Sequence, residues 1–326
     1  MATRRTLTGL CLVTAAALTL TACGGDSGGD TDSKVIKLGF PGSIGPTDTP
    51  LINAMESLED DGWTVEYIEF DSPDVQTQAL MSGDVNVASM GPATVMAADE
   101  AGAELKIVGN NNILDYLIIG AADVNSCEDL DGRKVAYHSE GSTSTAHLRR
   151  YLADTCPDAS PEFLVISGSA NRITALLEGQ IDGTIVRVED WIAADATPEQ
   201  GHVIDSLVES QSDLLTQTIV IDGAKSDSSG PAVSALMAAF DKQLAAVNED
   251  PTGFAETAAT LLDSDPAEVV SVIEALIENG TFPENHDLSP ASVDATLAFY
   301  KDADTISDKL TADDVADFDI ASGGEK

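Results

Sequence analysis

A phrase used twice constrains this chain more than any other feature. Residues 79–90 read Ala-Leu-Met-Ser-Gly-Asp-Val-Asn-Val-Ala-Ser-Met, and residues 175–186 read Ala-Leu-Leu-Glu-Gly-Gln-Ile-Asp-Gly-Thr-Ile-Val. In each, an Ala-Leu helix end is followed four positions later by a glycine, and then by a β-branched residue opening an apolar strand. Gly83 and Gly179 stand where a helix ends in the left-handed conformation, which only glycine adopts cheaply. The strands run out at Met90-Gly91-Pro92 and Val186-Arg187-Val188-Glu189, each ahead of another predicted helix. One such joint occurs in any α/β protein. Two copies 96 residues apart predict a repeated architecture. In open α/β sheets, ligands sit beyond the carboxyl ends of the strands, so two copies predict two lobes facing one cleft.

Residues 1–22 read as an export signal. Arg4 and Arg5 precede a short apolar stretch at residues 7–20, and a spanning helix would need about 20 apolar residues. Leu20-Thr21-Ala22-Cys23 resembles the bacterial lipobox, whose cysteine is lipid-modified and becomes the first mature residue, which implies Cys23 as the lipidation site. Residues 23–34, rich in Gly, Ser and Asp, bury nothing and read as a flexible tether. The expected location is the extracytoplasmic face of a cell membrane, held there by the lipid. Cys11 leaves with the signal, so Cys127 and Cys156 remain. Outside the cytoplasm such a pair reads as a disulfide ahead of a metal or redox site.

Loss of the signal leaves 304 of the 326 residues and moves the formal charge from −40 to −42. Phosphate contacts need Lys and Arg, so this charge excludes nucleic acid as a partner. It mildly disfavours long-range capture of anions, although screening over about 8 Å leaves a local pocket free to differ. The acidic surface itself reads first as solubility or salt adaptation.

The rest of the chain alternates strand and helix. Strands are predicted near residues 34–40, 63–70, 105–108, 135–137 and 163–166. Apolar, extended residues 115–121 carry the chain into a second lobe, and 217–221 return it. The remainder is helical, with stripes such as Val233, Leu236, Met237, Phe240, Leu244 and Val247. The expected division is residues 35–119 for the first part of lobe 1, 120–217 for lobe 2, and 218–326 for the rest of lobe 1.

Candidate binding residues lie just past the strands. Gly141-Ser142-Thr143-Ser144 opens a helix, where free N–H groups, hydroxyls and the positive dipole end converge on a carboxylate, sulfonate or phosphate. The competing reading is an ordinary Ser/Thr cap. Met90, Gly91 and Thr94 mark a second, weaker helix start, because Pro92 removes a donor. Arg187 reads either as a bidentate anion clamp or as the partner of Glu189 or Asp190. Tyr116 and Trp191 offer flat walls to a ring or a cation, or pack in the core. Catalysis finds no motif: no Gly-x-Ser-x-Gly elbow, no P-loop and no dinucleotide fingerprint. His138, His147, His202 and His286 have no metal-ligand spacing.

Taken in order, these segments resemble the type II periplasmic substrate-binding proteins of ABC importers, in the group of nitrate, sulfonate, taurine and thiamine-precursor receptors. The residues that carry the resemblance are 79–88 with Met90-Gly91-Pro92, 101–108, and Asp129-Leu130-Asp131-Gly132-Arg133-Lys134-Val135-Ala136 followed by Gly141-Ser142-Thr143. Ala175 to Asp182 completes the set. The match runs over about residues 35–222.

The resemblance implies an α/β fold of two lobes joined by two crossover strands, closing by a hinge on a ligand that a permease and ATPase then handle. It places ligand contacts at Ser43, Met90–Gly91, Ser142–Thr143 and around Arg187. Residues 41–48 depart from the family's loop, which points to an unusual substrate. The expected activity is non-enzymatic, without cofactor or metal: a monomeric, lipid-anchored receptor for a small organic anion, a sulfonate or carboxylate, possibly aromatic. Three alternatives stand beside it: a receptor for a pyrimidine-type thiamine precursor, a TRAP-type receptor, and a biosynthetic enzyme on the same fold. The enzymes that form the pyrimidine carry a cysteine-rich iron motif that this sequence lacks, and the lipid anchor argues against a cytoplasmic enzyme.

Overall fold

The computed structural model describes residues 34–323 except Ser43, Asp71, Gly141 and Asp304. The expected signal, Cys23 and all of the tether but Lys34 lie outside the described residues, as does the Ser43 contact.

The first sheet begins with β1 (Val35–Pro41), α1 (Thr49–Glu59), β2 (Thr64–Phe70), α2 (Pro73–Ser82), β3 (Val87–Met90), α3 (Pro92–Glu100) and β4 (Leu105–Asn112). Three residues later the chain is already in the second sheet. That sheet holds β5 (Tyr116–Gly120), β6 (Lys134–Tyr137), α4 (Thr143–Thr155), β7 (Glu162–Val165), α5 (Ser169–Leu177), β8 (Gly183–Arg187), α6 (Val188–Ala193) and β9 (His202–Ser206). Short α7 (Leu207–Ser210) precedes the return strand β10 (Gln217–Asp222). Helices α8 (Ser226–Glu249), α9 (Pro251–Leu261), α10 (Pro266–Glu278) and α11 (Pro290–Asp302) follow, then short α12 (Ala312–Val315) and α13 (Phe318–Ala321). Because β5 pairs with β8 and β9, the second lobe opens at Tyr116, ahead of the expected boundary at 119/120. Strand β9, whose alternation is weak and whose residues stay half-exposed, was not among the expected strands.

The two sheets share one plan. Their orders are β2-β1-β3-β10-β4 and β7-β6-β8-β5-β9. In each, three parallel strands meet one antiparallel strand that arrives from the other lobe. The repeated phrase occupies the same place in both, as the α2–β3 and α5–β8 joints. Gly83 and Gly179 sit at φ +88° and +69°, and their N–H groups bond back to Ala79 and Leu176 carbonyls at 3.1 and 2.9 Å.

The match extends to side chains. Asn86 accepts the Lys37 N–H at 2.8 Å, and Asp182, at the same position of the second copy, accepts that of Lys134 at 2.9 Å. Each secures the neighbouring parallel strand. Three residues before each phrase, a buried polar side chain reaches the third residue of the following strand. Gln76 donates to the Ser89 carbonyl at 2.8 Å, and Arg172 donates to that of Ile185 at 2.9 Å. Both residues are almost fully buried, so these bonds satisfy groups that would otherwise be costly.

Apolar burial then sets the layers. Helices α1 and α8 cover one face of the first sheet, with Leu51, Ile52, Met55, Val233, Leu236 and Phe240 buried. The other face packs Leu80, Met96 and Ile107 against Leu297 and Tyr300 of α11. The second lobe has its own core around Ile118, Leu130, Val135, Leu148 and Tyr151, stapled by the Cys127–Cys156 disulfide. That bridge is the one expected from the cysteine pattern. Helix α10 packs on α6, so the C-terminal helices of the first lobe also brace the second.

Candidate functional site

Strand ends from both sheets line one cleft of about 190 Å3. The first lobe supplies Phe40 and Pro41 from the end of β1, Gly91 after β3, Asn112 at the end of β4, and Thr216–Gln217 at the start of β10. The second supplies Tyr116, Thr143 and Arg187; Asp115 lies on the crossing, and Asp48 comes from the first lobe's loop after β1. This is the position expected for an α/β ligand site. A larger groove, about 660 Å3, lies beside it between α4 and α11 and shares Thr143. The groove's arginines are engaged, Arg149 with Glu140 at 2.5 Å and Arg150 with Asp154 at 3.3 Å. On its wall, Phe299 stacks on His147 at 4.8 Å, and burial pushes that imidazole down to about 4, so it is neutral.

Arg187 stands in the cleft, but its charge is already matched. Its Nε donates to Asp115 at 2.7 Å, Nη1 lies 2.9 Å from Glu189, and Nη2 donates to Thr47 at 3.2 Å. Burial works against the guanidinium charge, yet the neighbouring carboxylates of Asp115 and Glu189 outweigh it and hold the group protonated. Burial pushes Glu189 up to about 7, against the pull of Arg187 and with repulsion from Asp115, Asp190 and Asp48 added. Asp48 is also raised, first by burial, then by Asp115 and Glu69, while the Gly45 N–H and Arg187 oppose the shift. Arg187 thus takes the salt-bridge reading of the two that the sequence left open, with an additional partner 72 residues away.

The other expected contacts divide. Gly91, Tyr116 and Thr143 line the cleft. Met90 does not: its side chain is 1% exposed within the core, because β3 is buried on both faces. Thr94 lies one turn along α3, outside the lining. Ser142 caps α4, taking the Thr145 N–H at 3.3 Å, and Ser144 is buried beside it. Trp191 packs against the core near Gly201 and is no wall of the cleft.

Sequence reasoning missed Asp48, Asn112, Asp115 and Gln217. The Asp48 Oδ2 takes the Gly45 N–H at 3.0 Å. Asn112 is 5% exposed, lines the cleft, and its carboxamide has no hydrogen-bond partner among the described residues. Gln217 lines the cleft and donates its amide N–H to the Ser89 hydroxyl at 3.0 Å. The signal for these residues lay in topology, since each stands at the end or start of a strand whose partner is distant in sequence. Among the described residues no group of three His, Cys, Asp or Glu could hold a metal, and no helix is long and apolar enough to cross a membrane.

Comparison with known proteins agrees with this geometry. No curated protein sequence matches the chain. Its fold is similar to that of the periplasmic aliphatic sulphonate binding protein SsuA from Escherichia coli, at TM-score 0.69 and 17% identity over 87% of this chain and 92% of that one. It is equally similar to the zinc-bound ligand binding component of an ABC-type import system from Staphylococcus aureus, at TM-score 0.69 and 16% identity over 89% and 99% of the two chains. The periplasmic nitrate-binding protein NrtA from Synechocystis PCC 6803 follows at TM-score 0.64 and 15% identity, over 89% and 88%. These likenesses establish the two-lobed type II periplasmic-binding-protein fold. The NMT1/THI5-like family description matches residues 58–253, a span that holds both copies of the repeated phrase and most of the cleft, and the chain belongs to that family.

Proposed function

We propose that this protein is an extracytoplasmic, lipid-anchored receptor that captures a small solute between its lobes and delivers it to an ABC permease. The observation that carries the reading is the convergence of strand ends from two sheets on one cleft, whose lining includes the Asn112 carboxamide, without a hydrogen-bond partner among the described residues. Buried polar groups are ordinarily satisfied, so an open one in a cleft is what a ligand would complete. The neighbours named as sulphonate- and nitrate-binding and as an ABC import component support the transport assignment. The lipobox-like Leu20-Thr21-Ala22-Cys23 supports the anchor. The sequence pointed to an organic anion held by Arg187. The pairing of Arg187 with Asp115 and Glu189 leaves that clamp without spare charge.

Native mass spectrometry of the purified mature protein tests the receptor reading. A co-purified solute below a few hundred daltons, lost on unfolding, is the expected outcome. In the producing cell, Cys23→Ser should shift the protein from the membrane fraction to the soluble extracytoplasmic fraction. A variant that stays on the membrane would sink the anchor.

A further inference from the structure

We propose that the cleft selects a small organic cation of the amine, amidinium or guanidinium class, with the Asp48 carboxylate taking its charge. The inference rests on the receptor reading and names its substrate class.

The first ground is the charge of the cleft wall. Arg187 is its one basic residue among the lining side chains, and two carboxylates and a hydroxyl engage it. Arg172, behind β8, spends its donors on the Ile166 and Ile185 carbonyls and on the Ser169 and Thr184 hydroxyls. Against these two cations stand Asp48 and Asp115 in the lining, Glu189 and Asp190 in the first turn of α6, and Glu69 at the end of β2. An anion entering here would meet carboxylates in excess and no unpaired cation.

The helix termini nearby offer few donors. Helix α3 starts with Pro92, which has no N–H, and the Ser142 hydroxyl already takes the Thr145 N–H of α4.

The second ground is what the wall leaves open. The Oδ1 atom of Asp48 has no partner among the described residues, since Oδ2 alone takes the Gly45 N–H. The Asn112 carboxamide, 5% exposed, is likewise without a partner among the described residues, and Gln217, whose amide nitrogen donates to Ser89, lines the same space. The open Asp48 oxygen and a carboxamide oxygen can accept from an N–H-rich head group. Tyr116 adds an aromatic side chain, and aromatic faces attract cations and repel anions. The formal charge of the whole chain, −40, draws cations toward the protein and works against anions. A volume of about 190 Å3 is below the usual range for drug-sized ligands and suits a compact solute.

The test is a binding titration of the mature protein with benzamidine, methylguanidine and propylamine on one side and ethanesulfonate, acetate and nitrate on the other. At least one cationic probe should bind and raise the melting temperature, while the anions leave it unchanged. Asp48→Asn keeps an acceptor for the Gly45 N–H and should weaken cation binding about tenfold or more. Asn112→Ala, which leaves the loop of Asp48 untouched, should weaken it as well. Circular dichroism separates lost binding from lost folding in each variant. Binding of an anionic probe in place of the cations overturns the inference and leaves the receptor reading intact. Failure of all six probes also overturns it. If native mass spectrometry in addition finds no co-purified solute, the receptor reading falls with it.

Discussion

Arg187 shows how one residue changes meaning between sequence and structure. In the sequence it is a lone basic residue beyond a buried strand. In the fold it holds Asp115, which is 4% exposed, and Glu189. Arg187→Ala therefore leaves two carboxylates uncompensated. The guanidinium is 37% exposed, so screening keeps the cost below that of a fully buried pair, at about 2 kcal/mol. Urea denaturation measures it, and unchanged stability would return Arg187 to a role in ligand binding alone.

Asp99 makes a second residue-scale case. Burial raises its carboxyl to about 7, against the Leu105 N–H and Lys106. An acid raised in the folded state keeps its proton while the unfolded chain loses it. Stability from this group is thus full below the unfolded value near 4 and declines as pH rises toward 7. Asp99→Asn should flatten that part of the stability curve, measured by denaturant midpoints from pH 4.5 to 7.5. An unchanged slope would place the titration elsewhere.

At the scale of elements, the helix–glycine–strand joint is the unit that the chain repeats. Its visible signature was the glycine and the apolar run. Its working parts include Gln76 and Arg172, which stand outside the phrase and tie each helix to the strand it feeds. Arg172→Met keeps the length and apolar stem but removes five hydrogen bonds, three of them to buried acceptors. Leaving such acceptors open should cost about 3 kcal/mol by chemical denaturation. A variant as stable as the parent would mean that these carbonyls find other partners. The disulfide belongs to the same scale. It joins the segment before β6 to the end of α4 across 29 residues. In the loop-entropy account its reduction should cost about 3–4 kcal/mol, read as a lower melting temperature in dithiothreitol.

For the whole molecule, the cleft exists because two equivalent sheets are joined by two crossings, at residues 113–115 and 207–216. The lobes meet through Arg187 and Thr47 and through α6 on α10. A solute that touches both lobes favours the closed arrangement by its differential affinity for it. Small-angle scattering should therefore show a smaller radius of gyration at saturating ligand. Binding without compaction would mean that the solute contacts one lobe only.

The fold class, the two-lobed plan, the return strand near residue 217 and the cysteine pair were legible in one sequence. They depend on local patterns: apolar period, glycine at a left-handed helix end, and cysteine count in a chain that reads as exported. Gly91, Tyr116 and Thr143 were legible as cleft residues for the same reason, since each closely follows or opens an element whose limits the pattern shows. The chemistry of the cleft was not legible. Asp115 meets Arg187 across 72 residues, and Asn112 faces the cleft because β4 pairs with β10, more than 100 residues later. With 56 Asp and Glu in the chain, no local rule distinguishes the two carboxylates of the cleft wall from those that coat the surface. Local sequence determined where strands end. Only the tertiary structure decided which charges meet there, because charge pairing depends on distance in space and not along the chain.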